Sequence, residues 1–317
     1  MFPKTLLVYF VVFFLLDFAY GQQDKKFFRD DYSYIEATEG FYKIHTSPLT
    51  WADAKRMCAL EGASFFYPDN RNEANAVISL WKSVQPNVPW AFVGMSDIIS
   101  EGVFETIDGK SVSEVYNQWQ RGEPNDLGGD EDCVHLNLQG DINDYPCDGK
   151  SKFICKMSLT SLEWNHHCNM SNLDYTFDSD IGKCYKLHTT PLNWMEAHAV
   201  CRAEQSYLAV INNQLEADYL ANLTESASNQ RVGGDYFRGI YHLGFHNRLH
   251  EGWQTIRGTP LNVDASVWWD NYPPSDEDRE QCGSMFYTGR LNIINCDTKS
   301  FFICEHEVEK PDLEESQ

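Results

Sequence analysis

The sequence is short of positive charge. It sets only 25 basic residues against 47 acidic ones, for a formal net charge of −22. That balance excludes nucleic acid and anionic membrane as principal partners, because both are bound through basic patches. Cations and neutral ligands suit it better. The chain also lacks a run long enough to span a bilayer; the best stretch, LLVYFVVFFLL over residues 6–16, is too short. Gly-x-Ser-x-Gly, His-Glu-x-x-His and phosphate-cradling glycine loops are all missing, so no familiar hydrolase or nucleotide signature is present. The expectation is a protein that is not an enzyme.

What is present begins with an export signal. Lys4, the apolar run and then Ala19-Tyr20-Gly21 read as a signal peptide over residues 1–21, with the mature chain starting near Gln22. Such a chain is secreted and extracellular. Its ten cysteines, an even number, then read as disulfides. Asn169-Met170-Ser171 and Asn222-Leu223-Thr224 read as glycosylation sequons. A length of 317 residues with 14% aromatics supplies about two domains with cores of their own.

An internal repeat sets the organisation. FYKIHTSPLTWADAKRMC, residues 41–58, returns as CYKLHTTPLNWMEAHAVC, residues 184–201. Glu73 and Glu216 keep the same distance from Cys58 and Cys201, and Phe153-Ile154-Cys155 returns as Phe302-Ile303-Cys304. The unit is far longer than a solenoid period, so the chain holds two copies of one domain. The boundaries are residues 22–157 and 168–305, with a linker at 158–167 and an acidic, disordered tail at 306–317. In copy one, Tyr42 to His45 reads as a strand, and Thr50 as the N-cap of a helix with Asp53 in capping-box register. A second helix runs from about Asn72 to Val84, burying Ala74, Val77, Ile78 and Trp81. Short strands follow at Trp90 to Val93, Phe104 to Ile107, Val134 to Leu138 and Phe153 to Cys155. This is an α+β pattern.

Connectivity does not follow from cysteine positions alone. The repeat matches Cys58 and Cys155 to Cys201 and Cys304, and Cys133 and Cys147 to Cys282 and Cys296. The expected bridges join helix one to the last strand in each copy and close the inner pairs, each removing about 3–5 kcal/mol of unfolded-chain freedom. Cys168 and Cys184 belong to copy two alone, where a bridge would staple an N-terminal hairpin that copy one is expected to lack.

Gly122 to Cys147 is the densest acidic stretch. It carries Glu123, Asp126, Asp130, Glu131, Asp132, Asp141 and Asp144, with Asn125 and Asn143 between them. Two readings are open: a solvated acidic loop, or a calcium site, since calcium takes six to eight oxygens in a flexible shell. Paired carboxylates also serve glycosidases, but here they are too clustered, and a bound calcium would keep them occupied.

Trp119-Gln-Arg-Gly-Glu-Pro-Asn125, Glu131-Asp-Cys133, Asn143-Asp144, Cys147 and Phe153-Ile-Cys155 together resemble the signature of C-type lectin-like domains, and Phe92-Val93-Gly94-Met95 resembles that family's WIGL strand. The layout is similar to the two-domain humoral lectins of insects, the immulectins, with a short-form domain followed by a long-form one. The resemblance covers almost all of the mature chain. It implies tandem C-type lectin-like domains, each with two helices, small antiparallel sheets and long loops where a calcium ion holds the sugar.

Carried over by position, the principal calcium and carbohydrate site would be Glu123, Asn125, Glu131, Asn143 and Asp144. An auxiliary calcium site would use Asp97, Glu101, Asp126 and Asp132, with Glu131 shared. The Glu-Pro-Asn order implies sugars with equatorial 3- and 4-hydroxyls: mannose, N-acetylglucosamine, glucose or fucose. The implied role is a pattern-recognition lectin for microbial glycans in innate immunity, in haemolymph if the insect likeness holds. The alternative is a protein-interaction module on the same fold, with calcium only structural.

Copy two departs from the pattern. Pro273 and Ser275 stand where Glu and Asn should be, and Ile293 replaces the aspartate; Glu280 and Asn292 remain, and Asn247 stands for an auxiliary aspartate. Its principal calcium site is expected to be lost. A cation held in another arrangement by Asp276, Glu277, Asp278 and Glu280, a calcium-independent ligand, self-association, or support of copy one are the readings left. His242, His246 and His250 have a zinc-like spacing, but a strand and loop would scatter it, so surface histidines are expected. Trp51 and Trp194 are expected in the core, and His45 and His188 in structural roles.

Overall fold

The computed structural model describes residues 28–225, 227, 232–261 and 281–308. The expected signal peptide, most of the tail, and Pro273, Ser275, Asp276, Glu277, Asp278 and Glu280 lie outside the described residues. The chain divides into two compact units that part between Leu162 and Glu163. Among the described residues no helix is long and apolar enough to cross a membrane.

The first unit runs β1 (Ser33–Ile35), β2 (Gly40–Leu49), α1 (Trp51–Leu60), β3 (Ser64–Phe65), α2 (Arg71–Val84), β4 (Trp90–Ser96), β5 (Glu105–Thr106), β6 (Cys133–Asn137), β7 (Ile142–Tyr145) and β8 (Ser151–Ser158). Thr50 opens α1. The Asp53 N–H donates to Thr50 Oγ1 at 3.2 Å, and the Thr50 hydroxyl donates to the Asp53 carboxylate at 2.8 Å. Asn70 caps α2 by accepting from the Glu73 N–H at 3.0 Å. Ala74, Val77, Ile78 and Trp81 face the core, as the helical spacing of the apolar residues requires.

The sheet order is β1-β2-β8-β4-β6-β7, with β3 on β8 and β5 on β4. Separate antiparallel sheets were expected. Instead β4 and β8 pair in parallel, at Ala91↔Lys152 and Phe92↔Phe153, and join the strands into one mixed sheet. A strand buried on both faces reads as a nearly continuous apolar run, and β4 (WAFVGMS) does.

The second unit repeats this with β9 (Thr176–Asp178), β10 (Lys183–Leu192), α3 (Trp194–Ala203), β11 (Tyr207–Leu208), α4 (Gln214–Glu225), β12 (Ile240–His246), β13 (Gln254–Thr255), β14 (Cys282–Phe286), β15 (Leu291–Ile294) and β16 (Ser300–Glu307). Its sheet order is β15-β14-β12-β16-β10-β9. Cys58–Cys155 and Cys201–Cys304 tie the first helix of each unit to its last strand. Cys133–Cys147 and Cys282–Cys296 close the inner loops, and Cys168–Cys184 fixes the start of the second unit.

The expectation that copy one lacks the N-terminal hairpin is corrected. Strand β1 pairs with β2 at Ser33↔Tyr42, just as β9 pairs with β10 at Cys184↔Phe177. The first unit holds its hairpin with rings rather than sulfur. Phe28 is buried, edge-on to Tyr32 at 4.9 Å and 5.9 Å from Phe41.

The repeated tryptophans bind the core together. The Trp51 indole donates to the Val93 carbonyl at 2.8 Å, and the Trp194 indole to the Leu243 carbonyl at 2.8 Å. The next residue in each strand is a glycine. A Cβ at Gly94 would lie 2.7 Å from the Phe65 carbonyl oxygen, and one at Gly244 only 2.1 Å from that of Leu208. Because the obstacle is backbone, it cannot rotate aside. Gly94→Ala is therefore expected to cost the first unit about 1–3 kcal/mol, read as a lower urea midpoint.

The histidine expectation also needs correction. His242 is not on the surface: it is fully buried in β12, its Nε2 lying 3.1 Å from the Leu192 and Thr298 carbonyl oxygens. Burial pulls its pKa down to about 4. Only His250 of the three is exposed. His45 stacks on Phe153 at 4.1 Å and His188 on Phe302 at 4.4 Å, which accounts for their recurrence.

Candidate functional site

Between β5 and β6 the first unit runs a long irregular loop that returns against β7. The Glu123–Pro124 peptide is cis, Asp126 takes φ +44°, and Gly128 and Gly129 follow at +89° and +81°. The loop is fastened by its own acids. Asp126 Oδ1 accepts from the Glu131 N–H at 3.2 Å, and Glu131 Oε2 accepts from the Leu127 N–H at 2.9 Å.

The anchor is Asp144 on β7, which has no solvent exposure. Its Oδ2 accepts from the N–H groups of Asn125 at 2.9 Å and Asp126 at 2.6 Å. Its Oδ1 is buried with no hydrogen-bond partner among the described residues. The Asn125 carboxamide donates to Glu123 Oε2, and the Asn143 carboxamide donates to the Asp144 carbonyl at 2.5 Å. Burial, the Asp144 carboxylate beside it and the charge of Glu131 push the Glu123 carboxyl up. Glu123, Asn125 and Asp144 are thus in direct contact, with Asn143 adjoining and Glu131 within electrostatic reach.

A second acidic group lies at the end of β4. Asp97, Glu101 and Asp132 bring carboxylate oxygens within 4.8 Å of one another. Asp97 is buried; its Oδ2 accepts from the Gly102 N–H at 2.8 Å, while its Oδ1 has no partner. Burial raises the Asp97 pKa, and the charges of Asp132 and Asp126 raise it further. Glu101 is also raised, chiefly by Asp97. Asp126 thus acts on this group as well as on the first.

Each group therefore holds one buried carboxylate oxygen that accepts no hydrogen bond from the described residues. Such an atom costs about 1–3 kcal/mol or more, and like charges crowded around it add to that. Hard oxygens, convergent and short of positive charge, fit a calcium ion in both places.

The second unit supplies the contrast. Asn247, in the place of Asp97, still accepts from the Gly252 N–H at 3.0 Å but carries no charge. Asn292 donates to the Ile293 carbonyl at 2.8 Å, as Asn143 does to that of Asp144. Ile293 packs against the apolar core where Asp144 holds its carboxylate. Among the described residues the turn after β12 and the β14–β15 pair thus form without the acids of Asp97 and Asp144. Two other acid–histidine groups, His45 with Glu61 and His188 with Glu204, lie beside Cys155 and Cys304. Both cysteines are bridged and offer no thiolate.

Sequence reasoning missed His135. It is buried in β6, opposite Asn143 in the ladder, and stacks on Tyr145 at 4.1 Å. Burial drives its pKa down to about 3, so the ring is neutral. Strand alternation was the available signal, since it places His135 and Asn143 on one face.

Two mixed α/β units, each stapled from helix to last strand, with acid-rich loops in the first, define a tandem lectin-type architecture. The family model for the lectin C-type domain matches residues 47–157 and 190–306, and the chain belongs to the C-type lectin family. It is similar to the hemolymph lipopolysaccharide-binding protein of Periplaneta americana, 31% identical over 132 residues, covering 39% of this chain and 52% of that protein. It is also similar to the C-type mannose receptor 2 of Rattus norvegicus, 27% identical over 297 residues, covering 86% of this chain and 19% of the receptor. The chain thus spans about half or less of these relatives' length. Among solved structures, the carbohydrate-recognition domain of the mouse scavenger receptor C-type lectin is 23% identical with a TM-score of 0.37, covering 41% of this chain and 97% of that domain.

Proposed function

We propose that the chain is a secreted, calcium-dependent lectin whose first unit binds mannose-type sugars and serves as a pattern-recognition protein for microbial surface glycans. The observation that carries the calcium reading is the pair of buried, unpartnered carboxylate oxygens, Asp97 Oδ1 and Asp144 Oδ1. Glu123, Asn125, Glu131, Asn143 and Asp144 would hold the principal ion, and Asp97, Glu101, Asp126 and Asp132 an auxiliary one. Calcium supplies open coordination positions for two neighbouring sugar hydroxyls. Beside it, carboxylates of this chain accept from those hydroxyls, and the carboxamides of Asn125 and Asn143 donate to them. The Glu123-Pro124-Asn125 order supports equatorial 3- and 4-hydroxyls.

The microbial part rests on the relative named for lipopolysaccharide binding, and secretion on the export-type N-terminus. Asn169 and Asn222, both exposed, are the proposed glycan acceptors. The proposed domains are residues 22–157 and 168–305, the second without a principal calcium ion. One sugar site gives weak binding, so strength comes from many contacts on a repetitive surface.

A glycan array run on the whole chain tests this. The expected result is binding to mannose, N-acetylglucosamine, glucose and fucose in calcium, abolished by EDTA. Binding that persists in EDTA refutes it. Calcium that raises the melting temperature while no glycan binds leaves the interaction-module reading in its place.

A further inference from the structure

Asn143 also lines a cleft of ≈ 570 Å³ in the first unit, together with Trp90, His135, Tyr145, Lys150 and Lys152. Three features of this cleft point to a ligand. Its wall is aromatic: the His135 ring lies between Tyr145, 4.1 Å away, and Trp90, 6.0 Å away, both stacked. It holds an unspent polar atom, because His135 is only 6% exposed and its Nε2 has no hydrogen-bond partner among the described residues. It also gathers two lysines without counter-charges. Lys152 donates to the Thr46 carbonyl, and neither lysine pairs with a carboxylate among the described residues. Among the described residues no carboxylate lines the cleft, so its charge is positive in a chain of net charge −22.

We propose that this cleft is a second subsite, which takes an anionic sugar residue, bearing phosphate or carboxylate, linked to the sugar held at the acidic site. The proposal rests on the calcium reading above, because Asn143 is the residue shared by the two places. Ring faces of a saccharide suit flat aromatic walls. Lysine serves as a mobile point charge for phosphate or carboxylate. The neighbouring acids would repel such a ligand until a divalent ion neutralises them, so the preference appears only with calcium.

The test is competition for a mannose-coated surface in calcium, using the full chain and a Lys150→Gln/Lys152→Gln variant. Inhibitors are methyl mannoside, a phosphorylated mannose disaccharide and a uronic-acid mannose disaccharide. Against the wild type, at least one acidic disaccharide is expected to inhibit about tenfold better than the neutral sugar. The two acidic arms tell phosphate from carboxylate. In the variant that advantage falls to within about twofold, while methyl mannoside inhibits as before. Neutral binding without acidic preference, or a preference that survives the substitutions, overturns the subsite alone. A variant that loses neutral and acidic binding equally overturns it too. Failure of every sugar to bind overturns the subsite and the calcium reading together.

Discussion

Asp144→Asn is expected to abolish calcium-dependent sugar binding while making the calcium-free first unit more stable. The two effects have opposite signs and one cause. Asp144 has no solvent exposure, and only one of its two oxygens is satisfied, by the Asn125 and Asp126 N–H groups. Beside it the Glu123 carboxyl is held up by burial, by Asp144 itself and by Glu131. Without an ion, that arrangement buries like charges against each other. An asparagine keeps an acceptor for the two backbone N–H groups and presents an amide donor in place of the unpartnered oxygen. The repulsion ends, and the melting temperature in EDTA rises.

With calcium present the substitution would remove a charged ligand of the proposed site. Affinity for oxygen-bound calcium follows the number of charged ligands, and a fall of about a hundredfold or more is expected. An ion at a hundred times its dissociation constant stabilises a fold by about 2.7 kcal/mol, and the variant forfeits that increment. Differential scanning fluorimetry with and without calcium reads both signs in one experiment. If EDTA leaves wild type and variant equally stable, crowding at Asp144 is not the reason for its unpartnered oxygen. If calcium stabilises both alike, Asp144 is not a ligand.

The parts of the fold legible in the sequence are those where one residue type performs one physical task. Trp51 and Trp194 recur because each indole must reach a carbonyl of the central strand. The glycines after those carbonyls recur because a Cβ would strike the backbone opposite. The carboxylates and the carboxamide at Glu123, Asn125 and Asp144 stand out because Pro273, Ser275 and Ile293 replace them in the second copy while its cysteines and tryptophan recur. What escaped reading is whatever depends on partners chosen in space. The first hairpin went unseen because rings of Phe28, Tyr32 and Phe41 replace a disulfide that cysteine counting would have found. His242 went unseen because a four-residue spacing means nothing on a strand, where burial is set by the neighbouring strands. His45 and His188 were visible as repeats, but their stacking on Phe153 and Phe302 follows from register alone.

The repeated Glu73 and Glu216 show the same limit and carry the largest expected loss of stability. In the first unit Lys156, on β8, meets Glu73 at 2.7 Å and Asp69 at 2.8 Å. In the second unit the place of Lys156 is taken by Glu305, and the cation comes from β10 instead. Lys183 meets Glu216 at 3.0 Å and Glu305 at 2.7 Å, with those acids 3% and 1% exposed. Lys183→Met would leave two buried carboxylates facing each other. Removing one partner of a buried pair costs about 3–5 kcal/mol, which for a unit of this size lowers the melting temperature by roughly 10 °C. The loss should depend on pH. Burial holds the Glu305 carboxyl above its ordinary range even with Lys183 beside it, and removing the cation moves it higher still. A carboxyl raised in the folded state contributes stability when protonated and loses it as pH rises through the folded value. The variant should therefore be nearest to wild type in mild acid and furthest from it at neutral pH. A deficit that stays constant across that range would mean that lost packing of the lysine stem, and not the stranded charges, sets the cost.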